Sequence, residues 1–308
     1  MAARTPLSLV LPLLGNLKRM SLVEDSRWSW NADHEFTRTG HTHWSTIGRQ
    51  IKSALTDVFA SPNLESIHIS GLAIHSPQVL LSLFSGATAL KTLALSNIHF
   101  IETDNLSSSS ESQRWHPQLM SLRISSKGGG DPLSVYFLNP QIDLSRLTTL
   151  TVTTNFQEWT NTAPVGALLS LESIEHVVTD CYNCLFPKST FHSNRCTIRI
   201  RSSDIRYTMQ ETFRDCPPDS RAESIIFEGN VRLRWPATDL LLNLTVASAL
   251  VNMRSLRAVK IRVDVLSFRD QQDRSWLEDM RSSLPCLTER GLLTVTRSDE
   301  DGDEHVWN

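Results

Sequence analysis

The stretch Leu64-Glu-Ser-Ile67-His-Ile69 decides the fold, because the same spacing of apolar residues recurs along the chain. Its pattern is Leu-x-x-Leu-x-Leu, in which the last two apolar residues lie two positions apart and so share one face of a short strand. Five more copies occur, at Leu17-x-x-Met20-x-Leu22, Leu90-x-x-Leu93-x-Leu95, Leu119-x-x-Leu122-x-Ile124, Leu147-x-x-Leu150-x-Val152 and Leu256-x-x-Val259-x-Ile261. One such unit cannot bury its apolar face alone, so we expect the copies to stack.

The spacing of the copies indicates leucine-rich repeats. Those that start at Leu64, Leu90, Leu119 and Leu147 lie 26, 29 and 28 residues apart, at the upper end of the roughly 20–29 residue period of that class. We therefore expect an α/β fold, an irregular leucine-rich-repeat solenoid with short parallel strands on the concave side and helices on the convex side. The alternative is a generic α/β domain that is rich in leucine.

Helix signals lie between the strands. Ile47, Ile51, Leu55 and Val58 recur at helical spacing and predict a helix before Leu64. Ser76-Pro77 is typical of an N-cap followed by proline at the first helical position, so a second helix should begin there.

The repeats extend over most of the chain in this interpretation. The repeat domain covers 1–297, with an insertion at 24–45 and a degenerate middle at 171–235, where the leading leucine is lost but 196–200 and 224–227 still resemble strands. Residues 298–308 are acidic and are expected to form a disordered tail.

Composition excludes several classes of protein. The chain has 308 residues, with 30 Lys and Arg against 33 Asp and Glu, which argues against a globally basic nucleic-acid-binding protein. No apolar run reaches the roughly 18 residues of a membrane-spanning helix. Five cysteines are an odd number and a poor disulfide framework, which favours a reducing compartment, cytoplasmic or nuclear. A secreted repeat protein is the alternative, because Pro6–Leu14 superficially resembles a signal-peptide core.

Four segments carry a resemblance to a known family. Residues 11–22, SPNLESIHISGLAI (61–74), IDLSRLTTLTV (142–152) and LPCLTERGLLTV (284–295) resemble the repeat region of fungal F-box and leucine-rich-repeat proteins of the basidiomycete type. Members of that group are similar to substrate receptors of ubiquitin ligases, in which an F-box binds a Skp-type adaptor and the repeats bind the target.

This sequence departs from the family pattern at its start. Repeat-like sequence begins almost at Met1, where the family has its F-box segment. No residue can therefore be carried over as adaptor-binding, and a Skp-type adaptor is expected only if an F-box exists outside this chain. The chain is either truncated or a repeat-only scaffold without a ubiquitin-ligase role.

Basic residues are expected at intervals along the concave face. Strand residues that alternate with the inward leucines point to that face, and in the strands considered they include no Asp or Glu. We predict that an acidic or phosphorylated peptide docks there. Exposed strand positions also favour Ser and Thr without any binding role. The candidate partner-binding residues are Arg19, His68, Arg123, Arg199, Arg201, Lys260 and Arg262.

Two other groups of residues are candidates for a site. Cys181, Cys184, His192 and Cys196 have the residue types of a zinc site in the irregular spacing C-x2-C-x7-H-x3-C, or they are small buried or loop residues. The tryptophans of the insertion region are either a binding hot spot or a cap on the first repeat. These tryptophans are Trp28, Trp30 and Trp44.

No catalytic motif is present. The sequence contains no nucleophile elbow, phosphate loop, HExxH or dinucleotide fingerprint. We therefore predict a non-enzymatic protein-interaction module without a cofactor, which binds neither nucleic acid nor membranes. A zinc-binding or otherwise catalytic α/β protein is the alternative.

Overall fold

The computed structural model describes two compact units. The described residues are 11, 14–23, 29–30, 36–37, 42–101, 115–126, 132–154, 163–181, 192–200, 220–230, 244–264, 285–298 and 304–307. Unit 1 comprises Met1–Ser126 and Asp131–Thr148, and unit 2 comprises Lys127–Gly130 and Thr149–Asn308. The sequence predicted one repeat domain over 1–297.

Unit 1 alternates strands with short helices. In chain order its described elements are β1 (Arg19–Val23), β2 (Ser29–Trp30), β3 (Phe36–Thr37), β4 (Thr42–His43), a 3-10 turn (Trp44–Thr46), α1 (Arg49–Phe59), β5 (Ser66–Ser70), β6 (Leu72–Ile74), α2 (Pro77–Phe84), β7 (Thr92–Ser96), β8 (His99–Phe100), β9 (Ser121–Ser126) and α3 (Pro132–Phe137). Both predicted helices are confirmed, and α2 begins at Pro77 with Ser76 as its N-cap.

The copies of the apolar pattern form a parallel sheet in unit 1. Strands β1, β5, β7 and β9 are neighbours in that order, and Met20, Ile67, Leu93 and Leu122 occupy matching register positions. A smaller parallel sheet joins β4, β6 and β8. The apolar rows of β5, β7 and β9 are buried, with side chains at most 2% exposed. Period-2 alternation and stacking therefore place one face of the larger sheet in the core.

Left-handed residues link the two sheets of unit 1. Gly71, with φ 80°, and Asn97, with φ 52°, each follow a strand of the larger sheet. Their backbone N–H groups donate to the carbonyls of Ser96 and Ser125 on the next strand along. Glycine and asparagine are the residues that adopt this conformation most readily, which is why the chain turns here into β6 and β8.

Stacked aromatic rings fill the helix side of unit 1. The Phe84 ring lies 5.7 Å from Phe59 and 5.5 Å from Trp115, measured between centroids. Trp115 is fully buried, and its indole N–H donates to the Ala87 carbonyl at 3.3 Å. These contacts join α1, α2 and the segment before β9 into one core.

Unit 2 contains six parallel strands and one antiparallel strand. Its described elements are β10 (Thr149–Thr154), α4 (Ala163–Leu169), β11 (His176–Cys181), β12 (Arg195–Ile200), β13 (Ser224–Asn230), α5 (Leu244–Asn252), β14 (Ala258–Asp264), α6 (Pro285–Glu289), β15 (Leu293–Ser298) and β16 (Glu304–Trp307). Strands β10 to β15 follow one another in parallel, and β16 pairs antiparallel with β15. The strands at 196–200 and 224–227 are confirmed.

The described elements confirm the α/β class, and the solenoid arrangement stays a prediction. The tail differs from expectation, because Glu304–Trp307 forms a strand where a disordered tail was predicted. Its register with β15, from Val295 opposite Trp307 to Ser298 opposite Glu304, gives these residues backbone partners despite their acidic surroundings.

Replacing Gly86 with alanine should destabilise the protein. A Cβ atom at Gly86 would lie 2.8 Å from the Ala60 Cβ, whose backbone Cα is 3.4 Å away, so α1 and α2 would have to separate. We expect Gly86→Ala to lower the free energy of unfolding by about 1–3 kcal/mol, measured by urea denaturation. Gly15→Ala is the matched control, because nothing lies within 4 Å of a Cβ there. Equal effects of the two substitutions would contradict this packing.

Replacing Tyr136 with phenylalanine should instead stabilise the protein. Tyr136 is 1% exposed and packs edge-on against Phe137, and its hydroxyl has no hydrogen-bond partner in the described part of the chain. Burial raises the pKa of Tyr136. We expect Tyr136→Phe to raise the free energy of unfolding by about 1 kcal/mol, because it removes a desolvated hydroxyl. Trp115→Phe should lower it in the same assay, and a fall for Tyr136→Phe would show that the hydroxyl is satisfied.

Candidate functional site

One face of the larger sheet in unit 1 is open to solvent. The residues between the buried leucines and isoleucines are all half-buried or exposed, and none is Asp or Glu. We call this surface the outer face of unit 1. It consists of Arg19, Ser21 and Val23 on β1, Ser66, His68 and Ser70 on β5, Thr92, Ala94 and Ser96 on β7, and Ser121, Arg123 and Ser125 on β9.

His68 lies between two serine hydroxyls on this face. Its Nδ1 is 3.3 Å from Ser21 Oγ on β1, and its Nε2 is 3.4 Å from Ser96 Oγ on β7. Both contacts link neighbouring strands, so the register of the sheet fixes where the imidazole lies. The ring is half-buried and has one serine on each side.

Of the two arginines on this face, Arg123 is the one without a nearby carboxylate among the described residues to compensate its charge. It is exposed at the register position beside Ala94, and it forms no ion pair among the described residues. Arg19 lies near Glu65. The hydrogen bond from Lys91, at 3.0 Å, holds the pKa of Glu65 below its ordinary value, and the charge of Arg19 adds a smaller contribution. Arg123 therefore contributes the clearer positive charge.

The corresponding face of unit 2 is buried at four positions and half-buried at others. Val178, Thr197, Ile226 and Thr296 occupy positions that alternate with the core residues, yet they are only 1–6% exposed. His176 Nε2 lies 2.9 Å from the Thr197 hydroxyl across two of these strands. This part of the predicted binding strip is therefore not an open floor of hydroxyl groups.

The strands of unit 2 also bring acids into the strip, which corrects the expectation of a face without carboxylates. Asp180 on β11 and Glu228 on β13 lie in register on either side of Arg199, and Arg262 is the next position along. The residue types at this register position thus alternate between acidic and basic from strand to strand, and the binding roles of Arg199 and Arg262 stay predictions. Arg199 and Lys260 are half-buried. Arg201 lies outside the described residues.

The register separates two of the predicted zinc ligands. Cys181 pairs with Ile200, whereas Cys196 lies four residues earlier on that strand and pairs with Val177. Four residues span about 13 Å along a strand. Two thiolates on one zinc ion, at about 2.3 Å each, lie less than about 5 Å apart. Cys181 and Cys196 are therefore not placed to share a zinc ion.

Cys196 has the environment of a buried structural thiol. Its sulfur lies 3.4 Å from the Ser193 hydroxyl, and burial raises its pKa to about 12 despite that hydrogen bond. His192 is exposed, and Cys184 lies outside the described residues. In the part of the chain that the structure describes, no group of His, Cys, Asp and Glu is arranged to hold a metal ion.

The three tryptophans have different positions in the structure. Trp44 is half-buried in the 3-10 turn, and the Lys52 ammonium lies 5.8 Å above its ring. Trp30 pairs with Phe36 in the small antiparallel sheet, and Trp28 lies outside the described residues. Trp44 thus contacts the fold of unit 1 itself. The hot-spot role of all three tryptophans stays a prediction.

Sequence reasoning missed a cleft of about 390 Å³ in unit 2, near the starts of β11 and β12. Side chains of both charge signs surround it, including Glu172, Glu175, His192 and Arg221, and all four are exposed. These residues come from three separate segments and share no motif, so no sequence signal groups them.

Comparisons with known proteins do not assign a family. No family model matches this chain, and a search of curated proteins finds no match. Among the described residues, no helix is long and apolar enough to cross a membrane. The function is therefore inferred from the fold and from the site.

The two cysteines whose side chains are described should differ sharply in reactivity. Cys286 is exposed and Cys196 is buried. Because the thiolate is the reactive form, we expect iodoacetamide to label Cys286 in the native protein and Cys196 only after unfolding, as measured by peptide mass spectrometry. A zinc chelator should not change the labelling of Cys196. Chelator-dependent labelling there would support the zinc hypothesis instead.

Proposed function

We propose that this protein is a non-enzymatic protein-interaction module and that the outer face of unit 1 binds an acidic segment of a partner protein. One observation carries the proposal. Four strands in matched register present hydroxyl groups, a histidine and two arginines on an open surface, with no carboxylate at any of its positions.

The chemistry of this surface suits an acidic peptide. Serine and threonine hydroxyls both donate and accept hydrogen bonds, and an arginine donates up to five. Bonds from arginine to a carboxylate or phosphate are stronger than bonds between neutral groups. A partner's carboxylates would meet no like charge at the register positions of this face.

The resemblance of the sequence to fungal F-box and leucine-rich-repeat proteins supports a target-binding role. It does not identify the process in which the target is bound. Target recognition for a ubiquitin ligase stays a prediction, as does a repeat-only scaffold role. Cytoplasmic or nuclear localisation and the absence of nucleic-acid binding also stay predictions.

Charge reversal on the outer face should weaken the binding of acidic peptides. The probe is a labelled decapeptide that alternates glutamate and serine, and its binding to the full chain is measured by fluorescence anisotropy. We expect Arg123→Glu to raise the dissociation constant at least about tenfold, because it replaces a charge-assisted hydrogen bond with repulsion. Added salt should weaken binding to the unsubstituted protein.

The matched control for this measurement is Arg146→Glu. Arg146 is exposed in unit 1, in the turn before Leu147, and lies outside the outer face. Arg146→Glu should change the dissociation constant by less than about twofold. It changes the net charge by the same amount as Arg123→Glu, but it does not alter the outer face. Peptides of glutamine and serine, or of lysine and serine, should bind more weakly than the acidic one. Equal binding of all three peptides, or equal effects of both substitutions, would contradict the proposal.

A further inference from the structure

We infer that the outer face of unit 1 contains a site for a single phosphate group, above Ala94 and between His68 and Arg123. The inference rests on the proposed function and specifies the partner's acidic group as a phosphorylated serine or threonine. We call this position the Ala94 site. It depends on a gap in the row of outward side chains and on the donors around that gap.

The register creates the gap. Ser21, His68, Ala94 and Arg123 lie side by side on β1, β5, β7 and β9. Neighbouring strands are about 4.8 Å apart, so the backbones of His68 and Arg123 are separated by roughly 10 Å. Only the methyl group of Ala94 occupies the position between them. The longer side chains of His68 and Arg123 therefore lie on either side of Ala94, whose side chain is a single methyl group.

Hydroxyl groups complete the surroundings of the gap. Ser96 lies two residues beyond Ala94 on the same strand, and Ser125 lies next to Ser96 in register. The Ser96 hydroxyl is already in contact with His68 Nε2 at 3.4 Å. All these side chains are half-buried, so they are partly ordered by their neighbours and still reachable from solvent.

The two histidine contacts fit an imidazole with its proton on either nitrogen, and one of these tautomers leaves a hydrogen atom available for a ligand. With the proton on Nε2, the ring donates to Ser96 Oγ while the Ser21 hydroxyl donates to Nδ1. The Ser96 hydrogen can then point over Ala94 and donate to a bound oxygen. With the arginine fork on the opposite side, the site offers donors from two directions.

Phosphate matches this arrangement better than a carboxylate does. A phosphorylated side chain carries a charge of about −1.5 to −2 and three acceptor oxygens, against a single charge and two oxygens for glutamate. Three oxygens can contact Arg123, Ser96 and the Ser125 hydroxyl at once across a gap of this width. The formal net charge of the chain, −3, disfavours long polyanions and so favours a phosphopeptide over a nucleic acid.

Filling the gap should remove the preference for phosphate over a carboxylate. The probes are three labelled peptide pools with degenerate flanks and a central phosphoserine, glutamate or serine, bound to the full chain and measured by anisotropy. We expect the phosphoserine pool to bind at least about tenfold more tightly than the glutamate pool. Ala94→Leu should reduce this ratio to about one, because its larger side chain fills the position that the phosphate would occupy.

The control substitution is Ala258→Leu. Ala258 is also half-buried, and it lies on β14 of unit 2, outside the outer face of unit 1. It should preserve the phosphoserine preference. Thermal melting identifies any variant that fails to fold, and Ala94→Val then provides a smaller filling group at the same position.

The outcomes separate the two proposals. If the glutamate pool binds through Arg123 but phosphoserine has no advantage, the Ala94 site is wrong and the acidic-peptide face stands. If neither pool binds better than serine, both are wrong. A preference that survives Ala94→Leu places the phosphate elsewhere. Inorganic phosphate should compete for the site at high concentration, and stronger competition by a single-stranded oligonucleotide than by the phosphoserine pool would overturn the choice of a peptide.

Discussion

The parallel register of the apolar rows is the constraint on which the rest of the structure depends. Ile67, Leu93 and Leu122 are each fully buried side by side, and their neighbours in sequence must then face the other way. A shift of one residue in any strand would move its polar residues into the core. The placement of His68 and Arg123 on a common surface is therefore a consequence of core packing, and it needs no separate interaction to maintain it.

Strand residues alternate between the core and the opposite face in both units, but the residues on that opposite face differ. In unit 1 the outward row contains serine, alanine, histidine and arginine, which tolerate water. In unit 2 the same row contains Val178 and Ile226, whose burial contributes stability in proportion to the apolar area removed from water. Buried apolar groups on both faces are typical of parallel strands. The burial of Val178 and Ile226 thus contributes to the stability of unit 2, whereas the outward row of unit 1 stays open for the binding role that we propose.

Sequence predicted the elements whose signals are local. The apolar pattern identified the strands of unit 1, and Ser76-Pro77 identified the start of α2. Strand β11 was missed because no leucine precedes it at the expected spacing, and with it the acid Asp180. Strand β16 was missed because its acidic composition suggests disorder, whereas pairing with β15 supplies its backbone partners. Leucine-rich repeats usually have asparagine at the ninth position of the pattern. Asn97 lies at the eighth position of its copy, so the pattern did not indicate its left-handed turn. The site itself depends on which residues of neighbouring strands lie side by side, and a single sequence does not specify that register.

The contact between Ser96 and His68 is where an enzymatic interpretation of this face would begin, since a serine beside an imidazole resembles an activated nucleophile. Such a serine also needs donors for the developing oxyanion, commonly the backbone N–H of the following residue. Here that residue is Asn97, and its N–H donates at 3.0 Å to the Ser125 carbonyl on the next strand. The same left-handed turn that links the two sheets of unit 1 thus engages one donor that such a site commonly uses. What remains around His68 is an ordered set of hydroxyls beside an arginine, an arrangement suited to holding an anion in place, which supports the binding role proposed for this face.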